Sequence, residues 1–238
     1  MRQFFNMEGP VFTFLSKMAD LLILNVLFIL CSIPIVTIGA SLTAMSCVSI
    51  KMKDGLEGYV WKTFLTSFRE NFKQATVIWV IMVLAAVVLA TDLLLVRTSA
   101  GTLQHVVQIT VYVGILLWIM FLTVVFPLLS RFDNTIRNTM RNAVLLAVGN
   151  APRTLLMSAI IIGSVIATLW NAMTLSTGLL LWLLFGFAVL SWIDASLLYP
   201  VFKKIMPPEE ETGDEGSDDN FTFFRDDPEP ESEKPDER

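Results

Sequence analysis

Residues that carry chemistry are scarce in this chain. It has one histidine, His105, and two cysteines, Cys31 and Cys47, and only 16% of its 238 residues are charged. A lone histidine with no cysteine nearby in sequence excludes the recurring zinc spacings, so no metal is expected. Both cysteines fall in one uncharged stretch, where they serve most simply as small apolar side chains, and nothing favours a disulfide between them. There is no glycine-rich phosphate loop, no nucleophile motif with a base, and no HExxH or CxxC. Neither a cofactor nor an enzymatic activity is therefore expected. So little charge, beside 54% hydrophobic residues, also excludes an ordinary soluble domain.

What the chain has is long uncharged runs. The first, Leu21 to Ile50, contains thirty residues between Asp20 and Lys51. As one straight helix it would be about 45 Å long, against a hydrocarbon core of about 30 Å. Its middle reads SIPIVTIG. Pro34 removes a helix donor there, and Gly39 admits backbone conformations that other residues avoid. The stretch is expected to break into two membrane segments, with Thr37 or Ser41 capping the second. The helix before the break is expected to start at Gly9-Pro10. No cleavable signal peptide is expected, and the first span itself would act as the targeting signal.

Residues 51–74 alternate aromatic groups (Trp61, Phe64, Phe68, Phe72) with Lys62, Arg69, Glu70 and Lys73 at helical spacing. This predicts an amphipathic connection at the membrane surface, lying in the interface plane or packed on the protein's own face. Spans follow at about 74–91 and 105–129. A second connection covers 131–153, and an uncharged run from Thr154 to Ile193 is split by a turn near Asn171–Gly178. The last span continues to about Tyr199-Pro200. Lys/Arg bias orients the whole. With six spans, 13 basic residues fall on one side and only Arg97 on the other. With the opening stretch as a single span there would be five, and the C-terminus stays cytosolic in both versions. The expected fold class is an all-α polytopic transmembrane bundle of six spans, with short cytosolic amphipathic helices, in the cell membrane.

Charge divides the chain into two regions. Residues 1–206 carry a net +6 and form the transmembrane domain, whereas residues 207–238 carry a net −11. High charge, proline and serine predict that this acidic tail is disordered around its one aromatic patch, Phe221–Phe224. The lipid bilayer is the expected partner, and nucleic acid is not.

Polar groups inside spans are costly and count as functional candidates. Asp194 is the sharpest. It is either a proton or substrate site facing the bundle interior, or a carboxylate paired with Arg131 or Arg153. Asp20 and Asn25 on the first span are candidates for an interhelical contact or a polar path. Ala159, Gly163 and Ala167 mark a close-packing face, within the protein or between protomers of a homo-oligomer. In the 131–153 connection Asn134, Asn138 and Asn142 recur every four residues beside Arg137 and Arg141. They make one helical face suited to docking a cytosolic partner or anchoring at anionic headgroups. Gly149 and Pro152 should end that helix.

SIPIVTIGASLTA, FRENFKQAT (68–76) and RNAVLLAVGNAPRTLL (141–156) together resemble the YesL-like family of bacterial membrane proteins, a domain of unknown function. Where a common family version has Pro after the Gly of TIG, this chain has Ala40. Members are often encoded beside sugar-uptake ABC transporters. The resemblance therefore implies a role in carbohydrate uptake or its control, with a transporter permease or ATPase as partner. Autonomous transport and scaffolding through the tail are the alternatives.

Overall fold

The computed structural model describes residues 10–55, 58–98, 102–132 and 135–205. Every regular element among them is a helix. Among the described residues six stretches are long and apolar enough to cross a membrane: Phe14–Cys31, Ile35–Asp54, Val60–Leu95, Gln104–Leu129, Ala151–Leu169 and Ala172–Lys204. The chain is a multi-pass helical membrane protein. The expected disordered tail and Asn134 lie outside the described residues.

Helix α1 (Pro10–Cys31) starts at the proline, whose missing N–H costs nothing in a first turn. The break after it falls at SIPIVT as expected, with a short 3₁₀ turn over Ile35–Thr37 before α2 (Ile38–Asp54). The capping expectation is corrected. Thr37 is helical and makes no cap to α2. Its hydroxyl instead donates to the carbonyls of Cys31 (2.6 Å) and Pro34 (2.7 Å), so it closes the end of α1. Gly39 is also helical, and its role is close approach. A Cβ there would sit 2.6 Å from both the Ala75 carbonyl oxygen and the Trp79 Cβ.

The amphipathic connection at 51–74 is not a separate surface helix. Helix α2 runs on to Asp54 and stops at Gly55, whose left-handed φ of 72° suits glycine. From Val60 the chain then runs as one helix, α3, to Thr98. Its 39 residues contain no glycine or proline, so nothing interrupts propagation. At about 58 Å it is nearly twice the apolar thickness of a bilayer. The extra length is the first half, where Lys62, Arg69, Glu70 and Lys73 are exposed while Phe64 and Ser67 are buried against the protein.

Helix α4 (Thr102–Leu129) returns beside α3, tied by the Trp118 indole N–H donating to the Met82 carbonyl at 3.1 Å. A short amphipathic helix, α5 (Ile136–Gly149), is set off from α6 (Ala151–Leu169) by Asn150, with Pro152 in the first turn of α6. The return after α6 is made at Trp170-Asn171. There Asn171 and Thr174 cap each other's backbone N–H groups reciprocally. The last span is continuous but not uniform. It consists of α7 (Ala172–Leu181), a π turn over Trp182–Gly186, and α8 (Phe187–Ile205).

The inner helix is α2, and its composition suits that place. Gly39, Ala40, Ser41, Thr43, Ala44, Ser46 and Ser49 are buried, and small side chains let neighbouring backbones close in. On one side it packs into a core with Ile78, Val124, Phe126 and Leu198 of α3, α4 and α8. On the other it meets Leu24, Phe28, Phe64 and Ala188 of α1, α3 and α8. Ala159, Gly163 and Ala167 do not form a packed face among the described residues. All three are exposed, and an added Cβ at Gly163 would meet nothing within 4 Å.

Candidate functional site

Two polar constellations stand out, one between spans and one at the basic end of the bundle. The first is built on Asn25. Its side chain is fully buried and reaches from α1 into the π turn of the last span. The Asn25 amide donates to the carbonyls of Trp182 (3.1 Å) and Leu183 (2.7 Å), and its oxygen accepts from the Ala188 N–H at 3.1 Å. A π turn widens the helix and leaves backbone groups out of their usual register. Here one carboxamide, with two donors and an acceptor, satisfies three of them across an interhelical contact. Around it the Trp182 ring packs on Phe187 (4.9 Å between centroids), and its N–H donates to the Thr168 hydroxyl at 3.0 Å. The space over Gly186 is filled by the Trp182 ring, whose nearest carbon would lie 2.8 Å from an added Cβ.

Asn25 therefore makes the interhelical contact expected of it, to a partner some 160 positions away. Asp20 lies half-buried in α1, five residues earlier and so on a different face. Asp194 lies in α8, one turn beyond Ser191, whose hydroxyl meets that of Ser49 in α2 at 2.9 Å. Oδ1 of Asp194 is buried and has no hydrogen-bond partner among the described residues.

Arg131 does not pair with Asp194. It forms a salt bridge with Asp54 at 2.8 Å, and both side chains are less than a quarter exposed. The reason is position. Arg131 follows the end of α4, level with the end of α2, while Asp194 lies further inside the bundle. The pair ties the end of α2 to the end of α4. Beside it Lys53 places its ammonium 3.4 Å over the Trp192 ring. These contacts join residues far apart in sequence, and no spacing rule announces them. Replacing Arg131 by Met is expected to cost about 1–2 kcal/mol, because it leaves a half-buried carboxylate without its guanidinium. Detergent-solubilised protein should show this as a lower melting temperature than wild type.

The same end carries most of the protein's positive charge. Helix α5 buries Thr139, Ala143 and Ala147, and exposes Arg137, Asn138, Arg141 and Asn142 on the other side. Neither guanidinium has an ion-pair partner among the described residues. The exposed face changes character along the helix. After Asn142 it reads Val144, Leu145 and Val148, all at least half exposed. The polar face is thus confined to the first two turns, and an exposed apolar face follows it. The Thr154 hydroxyl, donating to the Ala147 carbonyl at 2.9 Å, holds the bend into α6.

These features define the class: a polytopic helical membrane protein with hydrogen bonds knitted between spans and a cationic patch at one end. Two comparisons say what the chain is similar to. The family model described as "Protein of unknown function, DUF624" matches residues 21–93, the broken opening stretch and most of α3. "Uncharacterized protein YesL" of Bacillus subtilis (strain 168) is 26% identical over 200 residues, covering 83% of this chain and 90% of that relative. No solved structure matches the chain.

Proposed function

We propose that this protein is a non-catalytic accessory or regulatory subunit of a carbohydrate ABC-type uptake system, with both ends of its membrane domain facing the cytosol. The observation that carries the proposal is the exposed Arg137/Asn138/Arg141/Asn142 face of α5, whose guanidiniums have no ion-pair partner among the described residues. A short helix whose polar half is free in water while its other half is seated at the membrane suits contact with a peripheral ATPase or the loops of a permease. Excess Lys/Arg at this end supports the cytosolic orientation. The carbohydrate class rests on the resemblance to YesL-like proteins alone. The test is crosslinked co-purification from native membranes through a tag after Arg238. A sugar permease or ATPase should be enriched over an unrelated membrane control and lost, by about tenfold or more, when Arg137 and Arg141 become Glu. Recovery of the protein alone would overturn the proposal.

A second reading, autonomous transport, is favoured by one observation: the buried, unpartnered Oδ1 of Asp194. Intramembrane carboxylates commonly mark ion or proton paths. Under this reading the purified protein in liposomes moves solute without a partner, and Asp194→Asn lowers that flux by about tenfold or more. If Asp194→Asn leaves the flux unchanged, that role for Asp194 fails.

A further inference from the structure

We infer that the acidic segment 207–238 of this same chain is an intramolecular occupant of the basic face of α5, in competition with any partner that docks there. The inference rests on the reading of α5 as a docking surface and adds its regulation.

Four observations lead to it. The first is charge balance. The described carboxylates are Asp20, Asp54, Glu70, Asp92 and Asp194, against thirteen Lys and Arg. At the end where Arg137 and Arg141 stand, Asp54 is already taken by Arg131. The membrane domain has no carboxylate paired with either guanidinium among its described residues, whereas the segment beyond it holds 14 Asp/Glu and 3 Lys/Arg.

The second is where that segment begins. Phe202, one turn from the end of α8, packs its ring 6.2 Å from that of Phe132, edge to face. Phe132 lies four residues before the start of α5. The tail is therefore rooted beside the first turn of the helix it is inferred to cover. Glu209 is four residues past Ile205, an extended reach of roughly 13 Å, and the carboxylates after it extend well beyond the 21 Å or so of α5.

The third is the form of the face. Arg137 and Arg141 lie one turn apart on a single strip, flanked by Asn138 and Asn142. All four are exposed, so an extended acidic segment can meet the guanidiniums with charge-assisted hydrogen bonds and the carboxamides with neutral ones.

The fourth is competition. Anionic lipid headgroups are the rival ligand for a basic patch at a membrane surface. Tethering gives the tail an effective concentration on the order of millimolar at this face. A single exposed pair contributes about 1 kcal/mol or less, so occupancy depends on several carboxylates acting together and is sensitive to salt. This suits a cover that a partner can displace.

The test is photocrosslinking in the full-length protein, reconstituted without any transporter into nanodiscs of mixed phosphatidylcholine and phosphatidylglycerol. Benzoylphenylalanine is placed at Asn138. Peptides from 207–238 should be captured at low salt, with a yield falling about threefold or more at 0.5 M NaCl, where the Debye length is roughly 4–5 Å. The same loss is expected in the Arg137→Glu/Arg141→Glu variant. It is also expected when Glu209, Glu210 and Glu211 become Gln, a change that leaves the membrane domain untouched. Adducts to lipid alone, no tail adducts, or tail adducts indifferent to both sets of substitutions would each overturn the inference. Because no transporter is present, this outcome is independent of whether a transporter subunit docks. If it does, removing residues 207–238 should raise its capture.

Discussion

Asn25→Leu is expected to lower the stability of the folded membrane domain by roughly 2–4 kcal/mol. The substitution keeps the volume approximately and removes all three hydrogen bonds to the last span. Interhelical hydrogen bonds in membranes average about 0.6 kcal/mol when measured pairwise, because alternative partners exist in the unfolded state. The cost here is larger for a specific reason. The groups left behind are the carbonyls of Trp182 and Leu183 and the N–H of Ala188, at a π turn where the helix is already out of register. Buried polar groups stranded in this way cost about 1–3 kcal/mol each when they find no substitute. Part of the loss is recovered if the π turn relaxes to a regular helix, which would rotate everything C-terminal to it. Unfolding by SDS titration measures the first effect. The rotation would appear as loss of the contact between the Ser49 and Ser191 hydroxyls, so Asn25→Leu and Ser191→Ala should then be less than additive. Val26→Ala, one residue on but facing outward, should change stability by less than about 0.5 kcal/mol.

The same site marks how far the sequence reveals this protein. Uncharged runs are long-range compositional signals, and they located the spans, the break after Cys31 and the turn at Asn171. The α5 amphipathicity was legible because an Asn/Arg face opposite Thr139, Ala143 and Ala147 is a local pattern of period 3.6. The continuous α3 was also visible in principle. The polar half of 60–98 suggested a separate surface helix, but the absence of glycine and proline is the stronger signal. A helix stops at a breaker or a cap, not where its surroundings change from water to lipid. Partner identities were not legible. Asp54 answers Arg131 from 77 positions away, and the groups bonded by Asn25 in the π turn and the start of α8 are 157 to 163 positions distant. A π turn has no sequence signature to find, since it is stabilised by tertiary contacts. Asn25 was recognisable as a costly group that must have a partner, without revealing which one.

Gly39→Ala is expected to destabilise the domain by about 1–3 kcal/mol, and Gly39→Val by more, despite the gain in helix propensity that either change brings. Glycine in a helix interior usually costs about 1 kcal/mol relative to alanine, so an exposed glycine at this position would show the opposite sign. The sign follows from what the new methyl meets. At 2.6 Å it would strike the Ala75 carbonyl oxygen and the Trp79 Cβ, which are backbone and the root of a side chain, and neither can swing aside. The helices themselves must part. Trp79 is also held from the other direction, its indole N–H donating to the Ile35 carbonyl at 2.8 Å and its ring 6.2 Å from that of Phe126. Moving α3 away from α2 therefore strains the turn before α2 and the contact with α4 together. Gly163→Ala is the matched control. It lies in α6 with nothing within 4 Å of the added methyl, and should leave stability unchanged or raise it by up to about 1 kcal/mol. Opposite signs at the two glycines, measured by the same SDS titration, would establish that α2 and α3 meet backbone to backbone at Gly39. Equal effects would mean that they do not.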